Sequence, residues 1–209
     1  MTNWHRFSDA DVEIEHQEPK FEGFFTVFNY KLRHKLFAGG WSNWIQREVL
    51  GRGHAVAMLP YDPIRREFVM IEQFRVGALP TSKKPWLLEI VAGMIDAGET
   101  PEDVCLREAE EEAGLKVDAL LPLTDYLPSP GGTTERLYLY LGIVNAESAQ
   151  GIHGLDDEDE DILVHRIAET QVKQLLNAGE FDNSATIIAL QWFFLNKQEL
   201  LEKLPAHKV

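Results

Sequence analysis

The chain has 209 residues, 44% of them hydrophobic, which is enough for one domain with a substantial core. Its 20 basic and 34 acidic residues give a net charge of −14, the wrong sign for binding nucleic-acid phosphates or anionic lipid. Cys105 is the only cysteine, and the acidic first thirty residues lack the apolar stretch of a signal peptide. We therefore expect a cytoplasmic protein with no nucleic-acid or membrane partner.

The N-terminal region predicts an antiparallel hairpin. Apolar and polar residues alternate from Phe28 to Leu36, which is the period of a strand. The turn residues Ala38-Gly39-Gly40 then lead to a second strand at residues 44–50. An isolated hairpin is only marginally stable in water, so this region needs another surface to pack against.

The next segments predict alternating strands and a few helices. Residues 54–59 and 67–74 predict a strand pair joined by a turn at Pro60–Pro63, and residues 86–91 predict a buried strand. Further strands are predicted at residues 137–144 and 162–167, and helices at residues 101–113, 171–178 and 184–204. This mixture indicates the α+β class.

The segment from Gly93 to Leu115 is the most informative part of the sequence. Thr100 and Asp103 predict an N-cap with its capping-box partner, Pro101 suits the first helical position, and Gly114 suits the end of the helix. A glycine-containing loop at residues 92–99 precedes this helix. The pattern therefore predicts a short, well-capped helix behind a tight loop.

Three glutamates of this helix, Glu108, Glu111 and Glu112, are spaced to project from one face. Like charges at such spacings cost about 0.2–0.5 kcal/mol each, and the last turn of a helix disfavours anions. A hard divalent cation would turn this cost into binding energy. The alternative is an acidic face in contact with solvent, packed through Leu106, Ala109 and Ala113 on its other side.

These residues resemble the Nudix box, G-x5-E-x7-R-E-U-x-E-E-x-G-U, in which U is aliphatic. Every defined position is present between Gly93 and Leu115 if Ala109 counts as a small aliphatic residue. The resemblance implies a Nudix-type α/β/α sandwich with a mixed sheet, preceded by an antiparallel N-terminal β domain. It also implies a pyrophosphohydrolase that uses Mg²⁺ or Mn²⁺. We expect residues 1–50 to form a homodimerisation segment and residues 51–209 to form the hydrolase domain.

Features outside the box resemble the ADP-ribose pyrophosphatase subfamily. Pro130 lies fifteen residues beyond Leu115. The segments Arg47–Val56 and Ile71–Arg75, and the segment from Gly151 onward, also resemble the sequences of this subfamily. The resemblance implies cleavage of ADP-ribose to AMP and ribose 5-phosphate. Two alternatives stay open: a Nudix hydrolase for another nucleoside-diphosphate derivative, and a sensor that binds ADP-ribose without cutting it.

The resemblance also implies roles for individual residues. The implied metal ligands are the Ala92 carbonyl, Glu108, Glu112 and Glu160. The implied catalytic or orienting residues are Glu99, Arg107, Glu111 and, as general base, Glu158. The implied substrate contacts are Phe24, Arg47, Glu48, Arg75 and Pro130. Residues 156–161 could also be an acidic loop in contact with solvent, and the choice between Glu158 and Glu160 as base stays open.

Overall fold

The structure is a computed structural model that describes residues 4–155 and 159–203, and within it the chain forms two units. The N-terminal unit contains the described residues up to Gly53 together with Ser129–Glu135. The main unit contains His54–Pro128 and the described residues from Arg136 onward. No helix of the described chain is long and apolar enough to cross a membrane.

The N-terminal unit is built on a three-stranded antiparallel sheet. Its strands are β1 (Val12–Glu22), β2 (Thr26–His34) and β3 (Ile45–Gly51), in that spatial order. The predicted hairpin corresponds to β2 and β3 and is confirmed. Strand β1 was not predicted, because the alternation of apolar and polar residues over Val12–Glu15 does not continue through the strand, and ten of its eleven residues are exposed.

The main unit contains an eight-stranded mixed sheet and three helices. The strands are β4 (Ala55–Asp62), β5 (Glu67–Phe74), β6 (Trp86–Glu89), β7 (Val91–Met94), β8 (Val117–Tyr126), β9 (Leu137–Val144), β10 (Gly151–His153) and β11 (Ile162–Ala168), and the helices are α1 (Pro101–Ala113), α2 (Glu169–Ala178) and α3 (Ser184–Glu202). The spatial order is β10-β11-β5-β4-β9-β8, with β6 beside β5 and β7 beside β4. Strands β4 and β9 run parallel, and the other pairings are antiparallel.

Helices cover both faces of this sheet. On one face, Val104 and Ala109 of α1 pack against strand residues such as Val56 and Ile71. On the other face, Phe193 of α3 belongs to a second apolar cluster that also includes residues of α2 and the opposite side of the strands. The predicted α/β/α sandwich with a mixed sheet is confirmed.

The predicted turn at Pro60–Pro63 is wrong, because Pro60 lies inside β4. Strand β4 pairs with β7 up to Met58 and with β5 from Tyr61 onward. Pro60, which has no backbone N–H to donate, therefore lies where β4 changes from one partner strand to the other. The turn begins at Pro63 instead, and the Asp62 carboxylate accepts hydrogen bonds from the next two free backbone N–H groups.

Candidate active site around helix α1

Helix α1 has the predicted caps at both ends. The Thr100 hydroxyl accepts a hydrogen bond from the Asp103 backbone N–H at 3.2 Å, and the Asp103 carboxylate accepts from the Thr100 N–H at 3.1 Å. The hydroxyl of Thr100 and its N–H hold the pKa of Asp103 below its ordinary value. Gly114 ends the helix in the left-handed conformation, with φ of 60°. The direction and length of α1 are therefore fixed locally.

Arg107 joins the loop to the acidic face of the helix. Its guanidinium donates to Glu99 at 3.1 Å, Glu108 at 2.8 Å and Glu111 at 3.0 Å. Glu99 in turn accepts from the Asp96 backbone N–H at 3.0 Å, which orders the loop before the helix. Arg107 lowers the pKa of Glu99, so this carboxyl is held as an anion. Arg107 and Glu99, two of the residues predicted to orient the site, are therefore in direct contact, and their role in catalysis stays a prediction.

Glu112 is buried and is anchored to the sheet. Only 3% of the residue is exposed, and its carboxylate accepts a hydrogen bond from the Ala92 backbone N–H at 2.9 Å. Burial raises the pKa of Glu112 to about 8, although the Ala92 N–H acts in the opposite direction. A helix face in contact with solvent would not contain a buried carboxylate. The alternative of a solvent-exposed acidic face is therefore wrong for Glu112.

The Glu108 side chain lies directly against Gly93, the first glycine of the motif. A Cβ atom on Gly93 would lie 1.8 Å from the Glu108 Oε1 atom, so only glycine leaves room for this carboxylate. Burial raises the pKa of Glu108 to about 7, and the neighbouring Arg107 partly offsets that rise. Two carboxylates with raised pKa values therefore lie on α1 next to β7, a strand that includes residues 92–94 of the predicted loop.

The predicted packing side of α1 needs one correction. Leu106 is 47% exposed, whereas Val104, Cys105, Ala109 and Ala113 are buried. Leu106 precedes the exposed Glu110 by four residues, and this spacing puts it on the solvent side of the helix. Burial, followed by neighbouring carboxylates, raises the pKa of Cys105 to about 12, which agrees with a packing role for that thiol.

The described part of the acidic loop is tied to the same helix. The Gly154 N–H donates to the Glu111 carbonyl at 3.2 Å, and Glu160 exchanges backbone and side-chain hydrogen bonds with Leu155. The charge of Glu160 contributes to the raised pKa values of Glu108 and Glu112. Glu160 therefore acts electrostatically on both carboxylates. The predicted base, Glu158, lies outside the described residues.

These oxygens are the candidates for holding a divalent cation. Glu108 and Glu112 flank the backbone of Ala92 and Gly93, and Glu160 belongs to the loop whose Gly154 N–H is bonded to the Glu111 carbonyl. Within residues 4–155 and 159–203, no three acidic, histidine or cysteine side chains already converge as a finished metal cage. The donor set nevertheless fits a hard cation, because all of it is oxygen and its buried carboxylates are costly while uncompensated.

The predicted substrate contacts are divided between the two units. Arg75 of the main unit donates from Nε to the buried Glu89 at 2.8 Å. The others belong to the N-terminal unit and are Phe24, Arg47, Glu48 and Pro130. The Phe24 side chain is 91% exposed, and the Arg47 guanidinium donates to the Gln46 carbonyl at 2.7 Å. Their contact with substrate stays a prediction.

Three polar residues near this site were not predicted. Gln73 lies 3.5 Å from Glu112, and Asn183 donates to Glu89 at 2.6 Å. Glu89 could have been noticed, because it is a carboxylate inside the apolar run Trp86–Val91. Asn183 carries no comparable signal, since its contact depends on a pairing 94 residues apart in sequence.

The fold and the acidic helix together define a NUDIX protein. Residues 51–193 match the NUDIX domain family model, and the chain belongs to this family.

Two relatives and one solved structure make the comparison more specific. The chain is 51% identical over 194 residues to the ADP-ribose pyrophosphatase of Escherichia coli strain K12, covering 93% of each chain. It is 45% identical over 203 residues to the ADP-ribose pyrophosphatase of Haemophilus influenzae, covering 96% of this chain and 94% of the relative. A crystal structure of an ADP compounds hydrolase shares the fold, with a TM-score of 0.69 at 22% identity over 90% of this chain and 96% of that chain.

Proposed function

We infer that the protein is a Nudix hydrolase that cleaves ADP-ribose to AMP and ribose 5-phosphate with the help of Mg²⁺ or Mn²⁺. The observation that carries this conclusion is the pair of glutamates on α1, half-buried Glu108 and buried Glu112, with Glu112 bonded to the Ala92 backbone. The assignment of ADP-ribose is supported by 51% identity to the Escherichia coli ADP-ribose pyrophosphatase over 93% of both chains.

In this proposal, the metal ligands are Glu108, Glu112, the Ala92 carbonyl and Glu160. A bound divalent cation would neutralise charge on the diphosphate and make the attacking water more acidic. Without such a cation, the anionic diphosphate would be repelled by these carboxylates. The need for a cation therefore follows from the charges of the site and of the substrate.

The remaining box residues orient these ligands. Arg107 holds the Glu108 carboxylate at 2.8 Å and is itself held by Glu99, so the direction of Glu108 is set before substrate arrives. Glu111 shares the same guanidinium at 3.0 Å and is placed to bind the cation or its water. Glu158 is proposed to take the proton from the attacking water while one P–O bond of the anhydride breaks. Glu160 is the alternative base.

Substrate recognition is proposed to use the residues that the sequence predicted. Arg75 and Arg47 would bind diphosphate or terminal ribose oxygens, because a planar guanidinium donates directional hydrogen bonds to such groups. Glu48 would accept a hydrogen bond from a hydroxyl group of the sugar or an amino group of the base. Phe24 would stack on adenine. Pro130 would shape the loop that contacts the substrate.

We also propose that residues 1–50 form the contact of a cytoplasmic homodimer. The large apolar side chains of this region include Phe21, Phe24 and Phe37, which are 61%, 91% and 76% exposed in the single chain. Burial of such surface would favour association. Light scattering should give twice the chain mass, and a monomer at micromolar concentration would contradict this proposal.

One experiment tests the catalytic assignment. The purified protein is incubated with ADP-ribose, ADP-glucose, GDP-mannose, NADH and diadenosine polyphosphates, each with and without Mg²⁺, and products are identified. We expect Mg²⁺-dependent AMP and ribose 5-phosphate from ADP-ribose, faster than turnover of the other compounds. Running the reaction in ¹⁸O water shows which phosphorus is attacked. Binding of ADP-ribose without product under any metal would support the sensor and contradict the enzyme.

A further inference from the structure

Glu89 is a buried carboxylate that the box does not account for. It ends β6, only 2% of the residue is exposed, and it lies in an otherwise apolar strand. A buried carboxylate is costly unless cations and hydrogen-bond donors compensate it. Both of its oxygens are compensated here: Oε2 accepts from Arg75 Nε at 2.8 Å, and Oε1 accepts from Asn183 Nδ2 at 2.6 Å.

Asn183 connects this carboxylate to helix α3. As the N-cap of α3, its side-chain oxygen accepts a hydrogen bond from the Thr186 backbone N–H at 3.0 Å. Its side-chain nitrogen remains for Glu89. Because Thr186 is fully buried, the cap is rigidly placed, and the position of Glu89 is fixed from two directions.

Arg75 uses only one edge of its guanidinium for this contact. Within the part of the chain that the structure describes, its Nη1 and Nη2 groups donate no hydrogen bond, and 43% of the side chain is exposed. Arg75 follows Gln73 by two residues, and the Gln73 side-chain amide donates to the proposed metal ligand Glu112 at 3.5 Å. The contact through Nε leaves Nη1 and Nη2 as a pair of donors, and such a pair binds phosphate oxygens.

We propose that Glu89 and Asn183 are positioning residues, which hold Arg75 by its Nε so that its Nη groups meet the diphosphate of the substrate. This role rests on the proposed ADP-ribose hydrolysis and adds two residues to it. Neither residue touches the substrate. They act because an arginine held in one orientation loses less conformational freedom when it binds.

A double-mutant cycle tests whether Glu89 acts through Arg75. Wild type, Glu89→Gln, Arg75→Ala and the double variant are assayed with ADP-ribose and Mg²⁺. Glu89→Gln should lower kcat/KM by about tenfold or more, mainly through KM, since a small misplacement of a binding group has effects of that order. In the Arg75→Ala background, Glu89→Gln should cause no further loss.

Asn183→Ser separates the contact with Glu89 from the helix cap. Serine still caps α3 but cannot donate to Glu89 as asparagine does, so the melting temperature should stay close to wild type while KM rises. Glu169→Gln is the matched control, because it removes a buried carboxylate that also pairs with an arginine, Arg66, in the same unit. That variant should lose stability but keep its KM.

A second readout does not depend on turnover. The Arg75 Nε–H resonance, assigned by its disappearance in Arg75→Lys, should exchange slowly with solvent in wild type and at least several-fold faster in Glu89→Gln. A wild-type protein that leaves ADP-ribose intact overturns the proposed function. An active wild type in which the two kinetic losses multiply, or in which the Nε–H exchanges equally fast in Glu89→Gln, overturns the positioning role alone.

Discussion

The Glu112 carboxylate and the Ala92 backbone N–H are joined by a 2.9 Å hydrogen bond that links helix α1 to strand β7. This bond fixes a buried carboxylate beside the backbone of the strand in which the box begins. Burial keeps the pKa of Glu112 raised, near 8, so the anion at this position is costly until a cation compensates it. The predictions below follow from this arrangement and from the contacts around it.

Gly93→Ala should impair catalysis with little effect on folding. The added Cβ would lie 1.8 Å from Glu108 Oε1, so the carboxylate must move away from its present position. We expect kcat to fall by about tenfold or more, because misplacement of a catalytic group has large effects. Gly77→Ala is the control, since a Cβ there meets nothing within 4 Å. Equal kcat values for the two variants would contradict the account of Gly93.

Arg107→Lys should lower kcat although it keeps the charge. A lysine ammonium lacks the planar fork that reaches Glu99, Glu108 and Glu111 together. The loop and the acidic face would then be oriented separately, and steady-state kinetics should show the loss mainly in kcat. Full activity of the lysine variant would show that positive charge alone suffices at this position.

The lowered pKa of Glu169 predicts how the free energy of unfolding depends on pH. Glu169 is buried, which raises its pKa, but donation from Lys197, Arg66 and Tyr61 outweighs burial and leaves the pKa below the ordinary 4.5. The carboxylate therefore contributes stability fully above the unfolded pKa and loses it as the pH falls through the lower, folded pKa. Glu169→Gln should reduce the free energy of unfolding by about 1–3 kcal/mol at pH 7.

Denaturant unfolding at several pH values measures this contribution. The difference between wild type and Glu169→Gln should be constant near neutral pH and should shrink below about pH 4.5, where the carboxyl begins to take up a proton in the unfolded chain. A difference that grows as the pH falls would contradict the assigned direction of the pKa shift.

Local sequence signals predicted helix α1 and much of the candidate site. Thr100 and Gly114 marked the ends of the helix, and the spacing of Glu108 and Glu112 put them on one face. These features depend on residues a few positions apart. The burial of Glu112 could not be predicted in this way, because it depends on contact with β7, twenty residues earlier in the chain.

Strands without alternation were missed for a related reason. In β8, Pro122 and two register shifts against β9 interrupt the pattern, so the segment does not read as a regular strand. The three-residue β10 is too short to show a period. The hydrogen bond from Asn183 to Glu89 likewise joins α3 to β6 across 94 residues of sequence, so no local sequence pattern predicts it.

The most direct test of the central claim is binding of Mn²⁺, followed by electron paramagnetic resonance, together with ADP-ribose turnover. Glu112→Gln is compared with Glu110→Gln, which removes an exposed carboxylate from the same helix. We predict that Glu112→Gln weakens Mn²⁺ binding and lowers turnover by more than about tenfold each with an unchanged circular dichroism spectrum, whereas Glu110→Gln behaves as wild type. Wild-type Mn²⁺ affinity and full turnover in Glu112→Gln would contradict the account.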